Sequence, residues 1–107
     1  MRVDVHPRAT AEAQDAAEAL ESARRGYGVA FSNAYTRVLD QLTTQERMYP
    51  EAFDAPDGFE AREVYLRRFK FRIVYLVFAD TVFVVAVAHA HREPGYWHRR
   101  LPDPPAS

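Results

Sequence analysis

Between Ile73 and Ala88 nearly every residue is apolar, and only Asp80 and Thr81 interrupt the run. Side chains of a strand alternate between two faces. Here Ile73, Tyr75 and Val77 would face one side and Val74, Leu76 and Phe78 the other, with neither side polar. Val82 to Ala88 is apolar throughout. Such a pattern requires cover on both faces, which an internal strand of a sheet receives. The run of 16 residues is also short of the ~20 that a membrane-spanning helix needs. It is therefore expected to form two strands joined by a turn at Asp80, and no membrane association is expected.

The preceding sequence supplies elements to cover that sheet. Val3 and Val5 alternate with Arg2 and Asp4, which marks a short strand over Arg2–His6 ended by Pro7. Ala11 to Arg25 is rich in helix-forming Ala, Glu and Gln, with Thr10 placed as its N-cap. Ala9, Ala13, Ala16, Ala17, Leu20 and Ala23 share one helical face, small enough for another element to approach closely. Gly26 and Gly28 mark a break. A second helix is expected over Val29–Thr44, with Phe31, Tyr35, Val38 and Leu42 at helical spacing. So short a connection favours an antiparallel helical hairpin. Pro50, Pro56 and Gly58 make Met48–Gly58 a loop. Arg62, Val64 and Leu66 alternate with Glu63, Tyr65 and Arg67, giving a further strand. The expected fold is α+β: an N-terminal strand, then a helical hairpin packed on a C-terminal antiparallel sheet. Residues 1–101 form one expected domain, and 102–107 a flexible tail.

Charge is unevenly spread. Met1–Phe59 carries six basic and ten acidic residues, a balance of −4, whereas Glu60–Leu101 carries eight basic and four acidic, a balance of +4. That asymmetry suits either an anionic partner for the second half or a mixed solvated surface. The absence of cysteine excludes disulfides, thiolate metal sites and a cysteine nucleophile. Together with an N-terminus that lacks a signal peptide's apolar stretch, it leads to an expected cytoplasmic location.

Candidate chemistry gathers in His89–Arg100, which holds the one Trp, three of the four His and three Arg. His89 and His91 would share a strand face, but zinc needs a third ligand that neither Glu93 nor His98 is forced to supply. A strand-end His89 bonded to nearby backbone is the simpler alternative, and neither metal nor cofactor is expected. A histidine with Arg72 and Arg92 could serve phosphate chemistry as acid–base and charge stabilisers. Alternatively Arg72 packs its stem at the core edge and extends its head into solvent. Trp97 is expected to close the core, and Tyr96 suits packing or an interface. No serine elbow or glycine-rich phosphate loop is present.

Three segments carry a resemblance: the opening strand ending in His6-Pro7 with the Ala/Glu-rich helix after it, the Gly28–Phe31 entry to the second helix, and, most strongly, Arg62 and Phe69-Lys70-Phe71-Arg72-Ile73-Val74-Tyr75 paired with Val87-Ala88-His89-Ala90-His91-Arg92-Glu93-Pro94-Gly95-Tyr96-Trp97. They resemble the RelE/ParE superfamily of type II toxin–antitoxin toxins, in its ParE-like, plasmid-stabilisation branch. The branch commonly shows Arg, then Phe-Pro-Tyr and Ile-x-Tyr, then Val-x-His-Gly-x-Arg-x-Pro-x-x-Trp. Lys70 and Phe71 stand where Pro and Tyr are usual, and Ala90 where Gly is usual. The resemblance implies a toxin neutralised by a cognate antitoxin and directed at DNA gyrase. Arg62, Arg72, His89, Arg92, Tyr96 and Trp97 are then the expected contacts to target or antitoxin. RelE-like members are instead ribosome-dependent mRNA endonucleases that use a Lys/Arg cluster and a C-terminal Tyr. In that case Arg72 and Tyr96 would be catalytic, with ribosome and mRNA as partners. Glu63, Tyr65 and Ala90 fall where that group carries cations, which favours the non-enzymatic branch. A homologue that only binds its antitoxin is the third alternative.

Overall fold

In the computed structural model, which describes residues 1–102, the two apolar segments become β3 (Phe71–Val77) and β4 (Thr81–His89). They occupy the middle of a four-stranded sheet ordered β1–β4–β3–β2, with β1 spanning Arg2–Val5 and β2 Ala61–Leu66. β2, β3 and β4 form the expected antiparallel meander. β1 lies parallel to β4, from Arg2 opposite Thr81 to Val5 opposite Val84. The helices α1 (Pro7–Ala23) and α2 (Tyr27–Leu42) connect β1 to the rest. Among the described residues no helix is long and apolar enough to cross a membrane. The expected tail lies outside the described residues from Asp103 onward.

Both faces of the central strands are buried, as their sequence requires. Ile73, Tyr75, Val82, Val84 and Val87 pack under the helices with Phe31, Val38 and Leu42. Val74, Leu76, Val85 and Ala86 pack on the other face against Ala52, Ala61 and Trp97. Full burial of each such large side chain contributes about 1.5–3 kcal/mol. The Tyr75 hydroxyl crosses the core edge to donate to the Glu46 carbonyl at 2.9 Å.

One irregularity re-aims β4. Val74 pairs with Ala86 but Tyr75 pairs with Val84, so Val85 is an inserted residue. A bulge of this kind puts two successive side chains on one face. Val85 and Ala86 accordingly both join the Trp97 cluster.

The helical boundaries differ from the sequence expectation in two places. α1 starts at Pro7, and its cap is His6, whose Nδ1 accepts from the Arg8 N–H at 3.0 Å. Thr10 lies inside the helix, because Pro at the first helical position, with its fixed φ and missing N–H, makes an earlier start favourable. Only Gly26, at φ 90°, breaks the chain; Gly28 lies within α2. A Cβ on Gly28 would stand 2.6 Å from the Ala17 carbonyl oxygen, so that glycine is what lets α1 and α2 close. The Glu21 carboxylate then accepts the N–H groups of Gly26 at 2.9 Å and Gly28 at 3.0 Å. It thereby satisfies otherwise orphaned donors at the start of α2.

Candidate functional site

Pro94-Gly95 turns the chain after β4, and Gly95 adopts φ 74°. The following residues form a short 3-10 helix, Tyr96–Arg100. Two carboxylates fasten this helix to the sheet, one on each side of it.

The first is Asp54, from the loop that precedes β2. It accepts from Gly95 N–H at 2.8 Å and from the Trp97 ring Nε1 at 3.0 Å. It also accepts both terminal nitrogens of Arg72, Nη1 at 3.0 Å. The Asp54 and Arg72 side chains are each only 5% exposed. Burial would raise the Asp54 carboxyl, but the Arg72, Gly95 and Trp97 donors outweigh it and hold the group at about 2. Burial likewise opposes the Arg72 charge, and Asp54 more than restores it. Glu63 adds a longer contact to Arg72 Nη1 at 3.5 Å. The idea of an Arg72 head in solvent is thus incorrect. Its stem and head are both enclosed, and the exposed Phe53 ring lies 4.7 Å from the guanidinium.

The second is Glu12, on α1. β1 ends opposite Val84, and beyond it, among the described residues, β4 has no strand partner on that side. Glu12 accepts the Val87 N–H at 3.0 Å, and Arg100 donates to the Val85 carbonyl at 3.0 Å. Arg100 and Glu12 also bind each other in a two-pronged pair at 2.7 and 3.0 Å. The ion pair therefore continues the hydrogen-bond ladder past the bulge, where a strand would otherwise be needed. Burial would raise the Glu12 carboxyl, but Arg100, the Val87 N–H and Tyr96 together lower it. The Tyr96 hydroxyl donates to Glu12 at 2.8 Å. Burial first, and then this bond, push the Tyr96 phenol well above its ordinary range.

Above the 3-10 helix lies a cavity of about 660 Å3 lined by His6, Arg8, Arg92, Glu93, Arg99 and Arg100, among others. The Arg92 guanidinium sits 4.1 Å from the Tyr96 ring centre and that of Arg100 5.0 Å. Partial burial, followed by the charges of Arg100 and Arg8, lowers the His6 pKa. That shift disfavours the charged form of His6, and the arginines supply the cationic lining. Such a cleft attracts anionic groups.

Of the residues that sequence singled out, Arg72, Arg92, Tyr96 and Trp97 meet around this helix. Trp97 is fully buried, as expected of a core-closing residue. Arg62 and His89 stand apart. Arg62 donates to Glu60 at 2.8 Å and to the Tyr49 carbonyl at 2.7 Å, pinning the loop before β2. His89 ends β4, where its Nδ1 accepts from His91 N–H at 3.2 Å and its ring meets Phe71 edge-on. Glu12 and Asp54 were not anticipated. Glu12 lies among the alanines of α1 and carries a faint signal, a charge beside a small-residue face; Asp54 lies in an aperiodic loop and carries none.

Comparison with solved structures identifies a likeness to the isolated RelE toxin of E. coli. The two superpose with a TM-score of 0.55 at 21% identity, over 92% of this chain and 94% of that one. The chain has the RelE fold. No protein-family model matches the sequence, and no curated protein matches it. Within the RelE fold, the Glu12–Arg100 and Asp54–Arg72 pairs are the devices by which this chain secures its C-terminal helix.

Proposed function

We propose that residues 1–101 constitute the toxin of a type II toxin–antitoxin pair, acting in the cytoplasm by recognition rather than by cleavage. A cognate antitoxin would hold it inactive, and DNA gyrase is the proposed target. The observation that carries the choice of recognition is the state of Arg72 and Tyr96. A ribonuclease of this fold would need both free to meet a scissile phosphate. Arg72 is enclosed with Asp54, and a second carboxylate, Glu63, stands at 3.5 Å where cations would be useful. Tyr96 donates to Glu12 and holds its proton more tightly than a free phenol. Electrostatic stabilisation of developing phosphate charge is commonly the largest catalytic term, and these carboxylates oppose it.

The basic cleft beside Arg92 favours a second reading, ribosome-dependent cleavage of mRNA, because it would accept a phosphate. One experiment separates the two. The purified chain is added to a gyrase supercoiling assay and, in parallel, to ribosomes carrying a defined mRNA. The recognition reading predicts lost supercoiling and intact mRNA, with Tyr96→Phe behaving as the parent chain. Unchanged supercoiling together with mRNA cleavage that Tyr96→Phe abolishes would overturn it. If growth, supercoiling and mRNA are all unaffected by induction of the chain, it is an antitoxin-binding homologue only.

A further inference from the structure

Among the described residues, every donor that meets the Asp54 carboxylate belongs to the body of the fold, whereas the carboxylate itself belongs to a loop. Arg72 comes from β3, and Gly95 and Trp97 from the segment that follows β4. Arg72 Nη1 reaches Oδ1 at 3.0 Å, and Arg72 Nη2 donates to Oδ2. Gly95 N–H and Trp97 Nε1 reach Oδ2 at 2.8 and 3.0 Å. The loop is tied at its two ends. Ala52 N–H donates to the Ala61 carbonyl at 2.8 Å, and the Glu60 carbonyl accepts from Val77 N–H at 2.9 Å. Between these ties, among the described residues, 53–59 make no backbone–backbone hydrogen bond to any strand or helix. Phe53 N–H reaches the Glu63 carboxylate at 3.3 Å, and the Asp54 carbonyl meets the exposed His98 ring at 2.7 Å. Phe53 is 70% exposed, and Gly58 turns the loop at φ 86°.

The donors have supports other than Asp54. Arg72 lies in an internal strand, paired with Tyr65 on one side and Ala88 on the other. The Tyr96–Arg100 helix is fastened independently by Glu12, through Tyr96 and Arg100. With the loop withdrawn, a guanidinium, a peptide N–H and an indole N–H would still converge on one place. Stranding the buried guanidinium is costly, but exchanging one anion for another is not, because the charge stays paired. Ala55 and Phe59 of the loop pack on the cluster that holds Val74, Leu76 and Trp97. The same movement therefore uncovers apolar surface beside the donors.

We infer that Arg72, the Gly95 N–H and Trp97 form a binding site for a small monocarboxylic acid with an apolar body, and that Asp54 fills it as a tethered substitute. The acid's carboxylate takes the place of Asp54, and its apolar body takes that of Ala55 and Phe59. A guanidinium presenting two nitrogens matches a planar, two-oxygen anion. A phosphate monoester fits less well. Glu63, 3.5 Å from Arg72 Nη1, repels a second negative charge more than a first. The acid keeps Arg72 paired, so the inference neither rests on the toxin reading nor disturbs it.

A tethered group competes at an effective concentration of roughly millimolar or above, so the parent chain should bind weakly and a chain without the tethered carboxylate more tightly. The whole chain, isotopically labelled, is titrated with butyrate and hexanoate while hydrogen exchange is followed. Hexanoate is expected to speed exchange at the Phe53 and Ala55 amides while the Trp97 indole N–H stays protected. Asp54→Gly should bind hexanoate about tenfold or more tightly than the parent does, and hexanoate should raise its urea midpoint. Each added methylene should strengthen binding about three- to fourfold. Arg72→Met in the Asp54→Gly background should abolish both effects. Four results would overturn the inference. They are unchanged exchange in the parent, an equal effect of uncharged hexanamide, an equal or stronger effect of methyl phosphate, and loss of Trp97 protection together with that of the loop. Should Asp54→Gly fail to fold, the parent titration decides alone.

Discussion

Replacing Asp54 by Asn removes one charge while keeping an oxygen that can still accept from Gly95 and Trp97. What it leaves is the Arg72 guanidinium, 5% exposed, without its close counter-ion. Breaking a buried pair from one side costs about 3–5 kcal/mol, because the surviving charge is neither solvated nor matched. Among the described residues Glu63, at 3.5 Å from Arg72, is the one remaining carboxylate in reach and offsets part of this. Urea denaturation at pH 7 should therefore show Asp54→Asn destabilised by roughly 3 kcal/mol, the low end of that range. Adding Arg72→Met to Asp54→Asn should recover most of the loss, since the stranded charge is then gone. The parent chain has a pH signature of its own. Its Asp54 carboxyl titrates near 2 when folded, against 3.8 ordinarily. The folded state binds fewer protons between those values, so this contribution is present above pH 4 and falls away as pH drops toward 2. A loss below ~1 kcal/mol for Asp54→Asn, with the double variant simply additive, would refute the charge argument.

Gly28→Ala should cost about 1–3 kcal/mol in thermal unfolding, since its Cβ meets the Ala17 backbone oxygen at 2.6 Å. Trp97→Ala empties a fully buried site and should cost roughly 3–5 kcal/mol by urea titration. Lys70 sits at φ 59° in the β2–β3 turn, so Lys70→Gly should stabilise by about 0.5–1 kcal/mol in the same titration. Tyr96→Phe removes one of the donors to Glu12 and should cost about 1 kcal/mol by urea titration.

The sheet was legible because its signal is local. Ile73–Phe78 and Val82–Ala88 state double-sided burial in their own residues, and the structure places both faces in cores. Trp97 and His89 followed from their positions after a buried strand. The start of α1 was misplaced because Thr10 and Pro7 both signal a beginning, and a proline at the first turn is the stronger of the two. Gly28 was read as a break because a glycine's need for closeness to another helix has no trace along its own chain. The site's two carboxylates were invisible for the same reason. Asp54 meets Trp97 across 43 residues and Glu12 meets Arg100 across 88, and neither partnership leaves a spacing to read. Side chains that look catalytic in one dimension, Arg72 and Tyr96, turn out to be engaged by partners that only folding supplies.

The Glu12–Arg100 pair has a kinetic consequence as well. It joins two of the most distant described parts of the chain, and β1 joins β4 across a similar separation. Contacts so far apart in sequence require the largest loops to close and form after local ones. The helical hairpin and the β2–β4 meander can assemble from neighbours, whereas the far end of β4 stays unlatched until Arg100 arrives. During that interval the Val85 carbonyl is unpaired, and Glu12, the acceptor of the Val87 N–H, lacks its counter-ion, on an apolar strand edge of the kind at which chains aggregate. The 3-10 helix Tyr96–Arg100 therefore protects the molecule while folding is still in progress, and a chain clipped before Arg100 should aggregate during refolding before any loss of equilibrium stability is noticed.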